Sequence, residues 1–318
     1  MESRTFFLDD SGHLRSGWRL AFFAIAFLVC AKLLQAIVLI ISELILKKPA
    51  AEMLSGNWGF VIGAAVLFSS ATLVGWACGF LFEELPFQAL GWSPHHGWLR
   101  NLAIGSAVGA GSLVLAAIFA AATRSFHFDL DSSGAAPIGK TLAMSVFVFV
   151  FAGAAEEALF RGYPLQTLTR ANLSWLGVLL TSVPFALVHL NNPNVARGFT
   201  FVNTALAGVW LAIAYLRTRS MWLPLGLHWS WNWMQASILG LPVSGISRLT
   251  PAPLLHATNA GPDWLTGGAY GIEGGAACTV ALLLSTLVVW RTKLISRADV
   301  PTRRTVGDGA VCAGEDLA

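Results

Sequence analysis

Eight stretches of about twenty mainly apolar residues follow one another along this chain, each long enough to cross a bilayer as a helix. Their approximate limits are 18–46, 57–82, 101–123, 139–160, 173–190, 198–216, 221–240 and 274–295. Trp18, Trp58, Trp98, Trp175, Trp222 and Trp290 stand near the ends of these stretches, where interfacial aromatic anchors are found. The pattern predicts an all-α polytopic membrane protein with about eight transmembrane helices.

Composition agrees with that class. Charged residues make up 12% of the 318 residues, against about 25% in a soluble domain. The formal net charge of +3 is small, and the basic residues gather at segment ends. That placement reads as a topology signal rather than a nucleic-acid surface, so no nucleic-acid partner is expected. With the N-terminus inside, the inner segments hold Arg15, Arg19, Arg100, Arg161, Arg170, Arg217, Arg219, Arg291 and Lys293, among others. The outer loops hold Lys47, Lys48, Arg124, Lys140, Arg197 and Arg248. Both termini are therefore expected in the cytoplasm. Residues 1–17 form a cytoplasmic N-terminal segment too long and polar to open a cleavable signal, so the first span is read as retained.

Helices one to three with their loops occupy 18–138. A unit of helices spans 139–240, and an external loop with the last helix spans 241–295. The stretch 296–318 reads as a polar, disordered cytoplasmic tail. Cys30, Cys78, Cys278 and Cys312 form no CxxC pair, so neither a disulfide framework nor a zinc knuckle is indicated.

The fourth span carries two adjacent carboxylates, Glu156 and Glu157, in an otherwise apolar run. An acid inside a membrane is expensive and marks a functional site by default. Neighbours on a helix point about 100° apart, so the two acids cannot face one point. Arg161 follows Glu157 by four residues, in the favourable acid-first order. The simplest division pairs Glu157 with Arg161 and leaves Glu156 facing a polar cavity, where it could take a proton from water. An ion-pair lock between helices is the competing reading.

The fifth span ends in His189, with Phe185 one turn earlier on the same face as a wall for the imidazole. Alone, His189 reads equally as an interfacial residue. The seventh span carries His228 and Asn232 at i,i+4, two hydrogen-bond donors on one face that suit an oxyanion site, or else a helix–helix hydrogen-bonded pair. Taken together, the groups supply base, orienting group and oxyanion donors, the parts needed to hydrolyse a carbonyl compound in a cavity between helices four to seven. Glu156, His189 and His228 would also make a three-ligand zinc set with one open position, although no HExxH is present. His256, Asp263 and Glu273 fall in the external loop or at its edge, and no pattern joins them. Depth poses a constraint: His228 lies only about 13 Å along a helix from Arg219, whereas His189 is far from the turn near residue 171. The two histidines can meet if helices four and five protrude into the cytoplasm, or if helix seven is tilted or starts deeper; a long fourth helix that continues past Arg161 toward Arg170 is expected.

Three elements stand complete and in order: Glu156-Glu157-Ala-Leu-Phe-Arg161, Phe185-Ala-Leu-Val-His189 and His228-Trp-Ser-Trp-Asn232. They resemble the EExxxR, FxxxH and HxxxN pattern of the CPBP intramembrane proteases, also called the Abi or CAAX prenyl protease 2 (Rce1-like) family. The resemblance covers about residues 139–240, and the Leu90-Gly-Trp segment is similar to a stretch common upstream in that family. It implies that Glu156 and His189 activate the attacking water and that His228 and Asn232 stabilise the oxyanion. Glu157, Arg161 and Phe185 would support them. It implies a membrane-associated peptide or protein substrate, a multi-pass protein of a bacterial plasma membrane, and either a metal-dependent or a glutamate-dependent mechanism. A non-catalytic immunity or scaffold protein of the same fold is the alternative. A transporter with a Glu/His proton relay is less consistent, because the two halves show no inverted repeat.

Overall fold

The computed structural model describes residues 6–9, 12–47, 49–53, 55–195 and 198–299. Its helices are α1 (Ser16–Ile40), α2 (Ala50–Met53), α3 (Gly56–Glu83), α4 (Trp98–Ala122), α5 (Ala135–Phe160), α6 (Tyr163–Arg170), α7 (Ser174–His189), α8 (Phe199–Thr218), α9 (Trp222–Trp233), α10 (Asp263–Thr266) and α11 (Ala276–Arg291). Two strands, β1 (Phe126–Leu130) and β2 (Leu255–Asn259), pair antiparallel from Phe126 opposite Asn259 to Leu130 opposite Leu255. The sequence reading has no such ribbon; its two partners lie in separate loops, so no local turn signal announces it.

Every expected span falls on a helix. Among the described residues, five helical stretches are long and apolar enough to cross a membrane: Ser16–Ile45, Gly56–Glu83, Trp98–Ala122, Ala135–Arg170 and Phe199–Thr218. The protein is a multi-pass membrane protein. Helices α7 and α11 are shorter, at 16 residues each, or about 24 Å at the usual rise. Helix α9 has 12 residues and runs on into a π-helical turn, Met234–Ile238.

The fourth span, 139–160, lies within α5, but the expected continuation of that helix past Arg161 toward Arg170 is interrupted. The chain turns at Arg161–Gly162, and α6 starts afresh with Pro164 in its first turn. A Cβ at Gly162 would lie 2.2 Å from the carbonyl oxygen of Ala158, so only glycine fits this turn. Helix α6 is buried on nearly all sides, and its Arg170 binds Glu83 of α3 through Nε and Nη2, each at 2.9 Å. Arg19 of α1 reaches the same carboxylate at 3.1 Å. Arg19 and Arg170, read from sequence as topology charges, therefore bind a carboxylate inside the bundle.

The rest of the packing fixes α9. A Cβ at Gly105 would come within 2.5 Å of the Leu223 oxygen, and one at Gly109 within 2.3 Å of the Leu227 oxygen. These glycines let α4 and α9 approach backbone to backbone, as small residues do between membrane helices. Outside the bundle, α1 presents Phe22, Ile25, Leu28, Val29 and Leu33, an apolar face suited to lipid. The long loop before α11 folds back over the helix ends: Asn57 Nδ2 donates to the Leu249 carbonyl at 3.0 Å, and Leu254 N donates to Ser237 O at 2.8 Å. The expectation of disorder from residue 296 needs correcting at its start. Ser296 exchanges two hydrogen bonds with the Asn101 side chain, at 2.7 and 2.8 Å, and Ala298 N donates to Thr218 O. Residues 300–318 of the expected tail lie outside the described residues.

Candidate active site

Glu156 and Glu157 stand in the last turn of α5 and point apart, as adjacent helical residues must. Glu157 turns inward and is fully buried, with Arg161 Nη1 at 3.2 Å from its Oε1. Arg161, also fully buried, donates from Nη2 to the Gly208 carbonyl of α8 at 3.1 Å, and its guanidinium carbon lies 4.6 Å from the centre of the Phe185 ring. Burial of a charge demands this kind of partnership. Glu156 turns the other way, its side chain one-third exposed, into a cavity of about 250 Å³.

Three helices bring their polar groups to that cavity. His228 of α9 lies 3.5 Å through Nε2 from Glu156 Oε2, and His189 of α7 lies 3.9 Å through Nε2 from the same oxygen. Asn232 lines the cavity one turn after His228, and no hydrogen bond among the described residues ties up its carboxamide. The π-helical turn begins two residues later; such turns are frequent at functional sites. Phe185 packs at the centre, its ring 4.6 Å from that of His189 and 6.2 Å from that of His228.

The outer contacts set the histidine tautomers. His189 Nδ1 is 2.7 Å from the Phe185 carbonyl oxygen, which can only accept, so Nδ1 carries the proton and Nε2 of the neutral ring is an acceptor. His228 Nδ1 is 2.8 Å from Glu157 Oε1 and donates to it. Its Nε2 donates only in the imidazolium form.

Every residue singled out in the three motifs thus meets at one place. The depth constraint is met without a continuous fourth helix: α5 stops at Phe160, α7 ends at His189 beside its last turn, and α9 passes that turn at its middle, at His228. The cavity also extends beyond the expected helices. Phe60 of α3, Cys278 and Leu282 of α11, and Val243, Ser244 and Glu273 of the long loop join its lining. Glu273 was set aside in the sequence as a loop-edge acid. Its position directly before an apolar helix was the available signal, since acids at membrane depth are rare.

The zinc expectation has suitable donor chemistry, including a second partner on each imidazole. However, no group of three or more His, Cys, Asp or Glu side chains among the described residues is arranged to hold a metal ion. The Glu156 oxygen lies 3.5 Å from His228 Nε2 and 3.9 Å from His189 Nε2.

Residues 138–234 match the model of one protein family, type II CAAX prenyl endopeptidase Rce1-like. The matched segment contains Glu156, Glu157, Arg161, Phe185, His189, His228 and Asn232. No curated protein matches the chain.

Proposed function

We propose that this protein is an intramembrane endopeptidase that hydrolyses a peptide bond of a membrane-associated protein or peptide. The observation that carries the reading is the convergence of His189 Nε2 and His228 Nε2, from two helices, on one oxygen of Glu156, from a third, inside a cavity. The match of this segment to an endopeptidase family supports it.

A water between Glu156 and His189 donates one proton toward the Glu156 carboxylate and its other hydrogen bond to His189 Nε2. As Glu156 takes the proton, the water oxygen bonds to the scissile carbonyl carbon. The carbonyl oxygen becomes an oxyanion and accepts hydrogen bonds from His228 Nε2–H and the Asn232 carboxamide. Collapse of this intermediate breaks the C–N bond, and Glu156 passes its proton to the leaving amine. Glu157 positions His228 and keeps it a donor on both nitrogens, and Arg161 balances the Glu157 charge. No step runs through a metal ion.

The same reading places the protein in a bacterial plasma membrane with both termini in the cytoplasm. A comparison of protein termini from cells making wild type or Glu156→Ala, at equal membrane levels, tests it. Termini that appear only with wild type are expected and would identify the substrate. Identical termini would favour a non-catalytic immunity or scaffold role.

A further inference from the structure

The cavity holds a second carboxylate that hydrolysis does not use. Glu273 lies in the single turn Ile272–Gly274 that leads into α11. One of its oxygens accepts a hydrogen bond from Trp231 Nε1 at 3.2 Å; the other accepts from Ser244 N at 2.6 Å and Ser244 Oγ at 2.9 Å. All three partners donate, so both oxygens act as acceptors, as those of an ionised carboxylate do.

Neutral donors orient this charge without cancelling it. Among the described residues, none of the ion pairs includes Glu273. Among the described residues no lysine or arginine lines the cavity, and its two histidines face Glu156. An unpaired carboxylate in a cavity lined mainly by apolar side chains is costly and draws a cation from outside. The walls suit one: Trp210 and Trp231, with ring centres 5.8 Å apart, both line the cavity, and indole faces attract cations. Trp231 follows His228 by three residues, so one of the donors that hold Glu273 springs from α9 one helical turn after His228.

We infer that Glu273 is a specificity-determining residue, binding a lysine or arginine side chain of the substrate and so setting which neighbouring peptide bond reaches Glu156. The inference rests on the peptidase reading for the placing of the bond, but not for the binding of the cation.

Binding and cleavage separate the two. The full chain carrying Glu156→Gln, in lipid nanodiscs, is titrated with end-blocked leucine–alanine peptides in which arginine, or its neutral isostere citrulline, is moved through each position. At one or two positions the arginine peptide binds about tenfold more tightly or better. Adding Glu273→Gln brings the ratio to near one. Glu273→Asp keeps the charge and part of the preference, and carries the comparison if the glutamine variant fails to fold. Equal binding of both peptide series, or a preference that survives Glu273→Gln, overturns the inference. Wild type is then assayed on the same peptides. Preference without Glu156-dependent cleavage leaves the cation site standing and counts against the peptidase reading; Glu156-dependent cleavage without preference does the reverse.

Discussion

His228 Nδ1 sits 2.8 Å from Glu157 Oε1, the same oxygen that Arg161 binds at 3.2 Å. One buried carboxylate thus serves two cations or near-cations, and the pair Glu156-Glu157 divides into a group that faces the cavity and a group that holds its partner in place.

Glu157→Gln tests that division. The amide keeps an acceptor for Nδ1 but removes the charge that holds His228 as a donor on both nitrogens. Turnover should fall by about 10²–10³, the usual cost of one oxyanion donor, with KM little changed. A loss confined to KM would place Glu157 in substrate binding instead.

Arg161→Ala should destabilise the fold by about 3–5 kcal/mol, because it leaves Glu157 buried without its cation. Arg161→Lys should rescue only part of this. The ammonium can still meet Glu157, but it lacks the planar fork that also reaches the Gly208 carbonyl and lies over Phe185. Thermal melting in detergent reads both. A wild-type melting temperature for Arg161→Ala would show that the pair holds nothing together.

The ribbon on the loop side has its own pH dependence. Ser133 hydrogen-bonds the Asp131 carboxylate, its N–H at 2.7 Å, and His256 at 2.5 Å adds an opposing charge when protonated. Ser133 first, and then His256, hold the Asp131 carboxyl below its usual value. A depressed acid stabilises the fold above the unfolded pKa of about 4, and this contribution is lost as pH falls through the folded value. Amide exchange across β1 and β2, taken relative to the intrinsic rate at each pH, should therefore rise on acidification below about pH 4, and Asp131→Asn should flatten that response. Exchange that rises equally in the variant would assign the effect to other groups.

Metal removal distinguishes the two chemistries open to this donor set. If Glu156 acts as the base without an ion, treatment with phenanthroline should leave the cleavage rate of the purified protein unchanged. Loss of activity that zinc restores would make Glu156, His189 and His228 ligands.

Most of the site was legible because its signals are local. Acids amid valine and phenylalanine stand out by their cost, and the i,i+4 spacings of Glu157 with Arg161 and His228 with Asn232 fix shared faces before any fold is known. What could not be read depends on partners far along the chain. Glu273 gains its meaning from Trp231 and Ser244, and β1 from a strand more than a hundred residues later. Arg19 and Arg170 look like loop charges until Glu83 is placed between them. The break at Gly162 falls just past the apolar run that ends at Phe160, and the short α6 beyond it carries few apolar residues, so hydropathy marks neither the turn nor the helix.

The most direct measurement is hydrolysis by the purified protein in proteoliposomes, with a peptide library in water enriched in oxygen-18. The account predicts new carboxyl termini that carry the heavy oxygen with wild type and none with Glu156→Gln. No labelled termini from a folded wild-type protein, or equal labelling by Glu156→Gln, would contradict it.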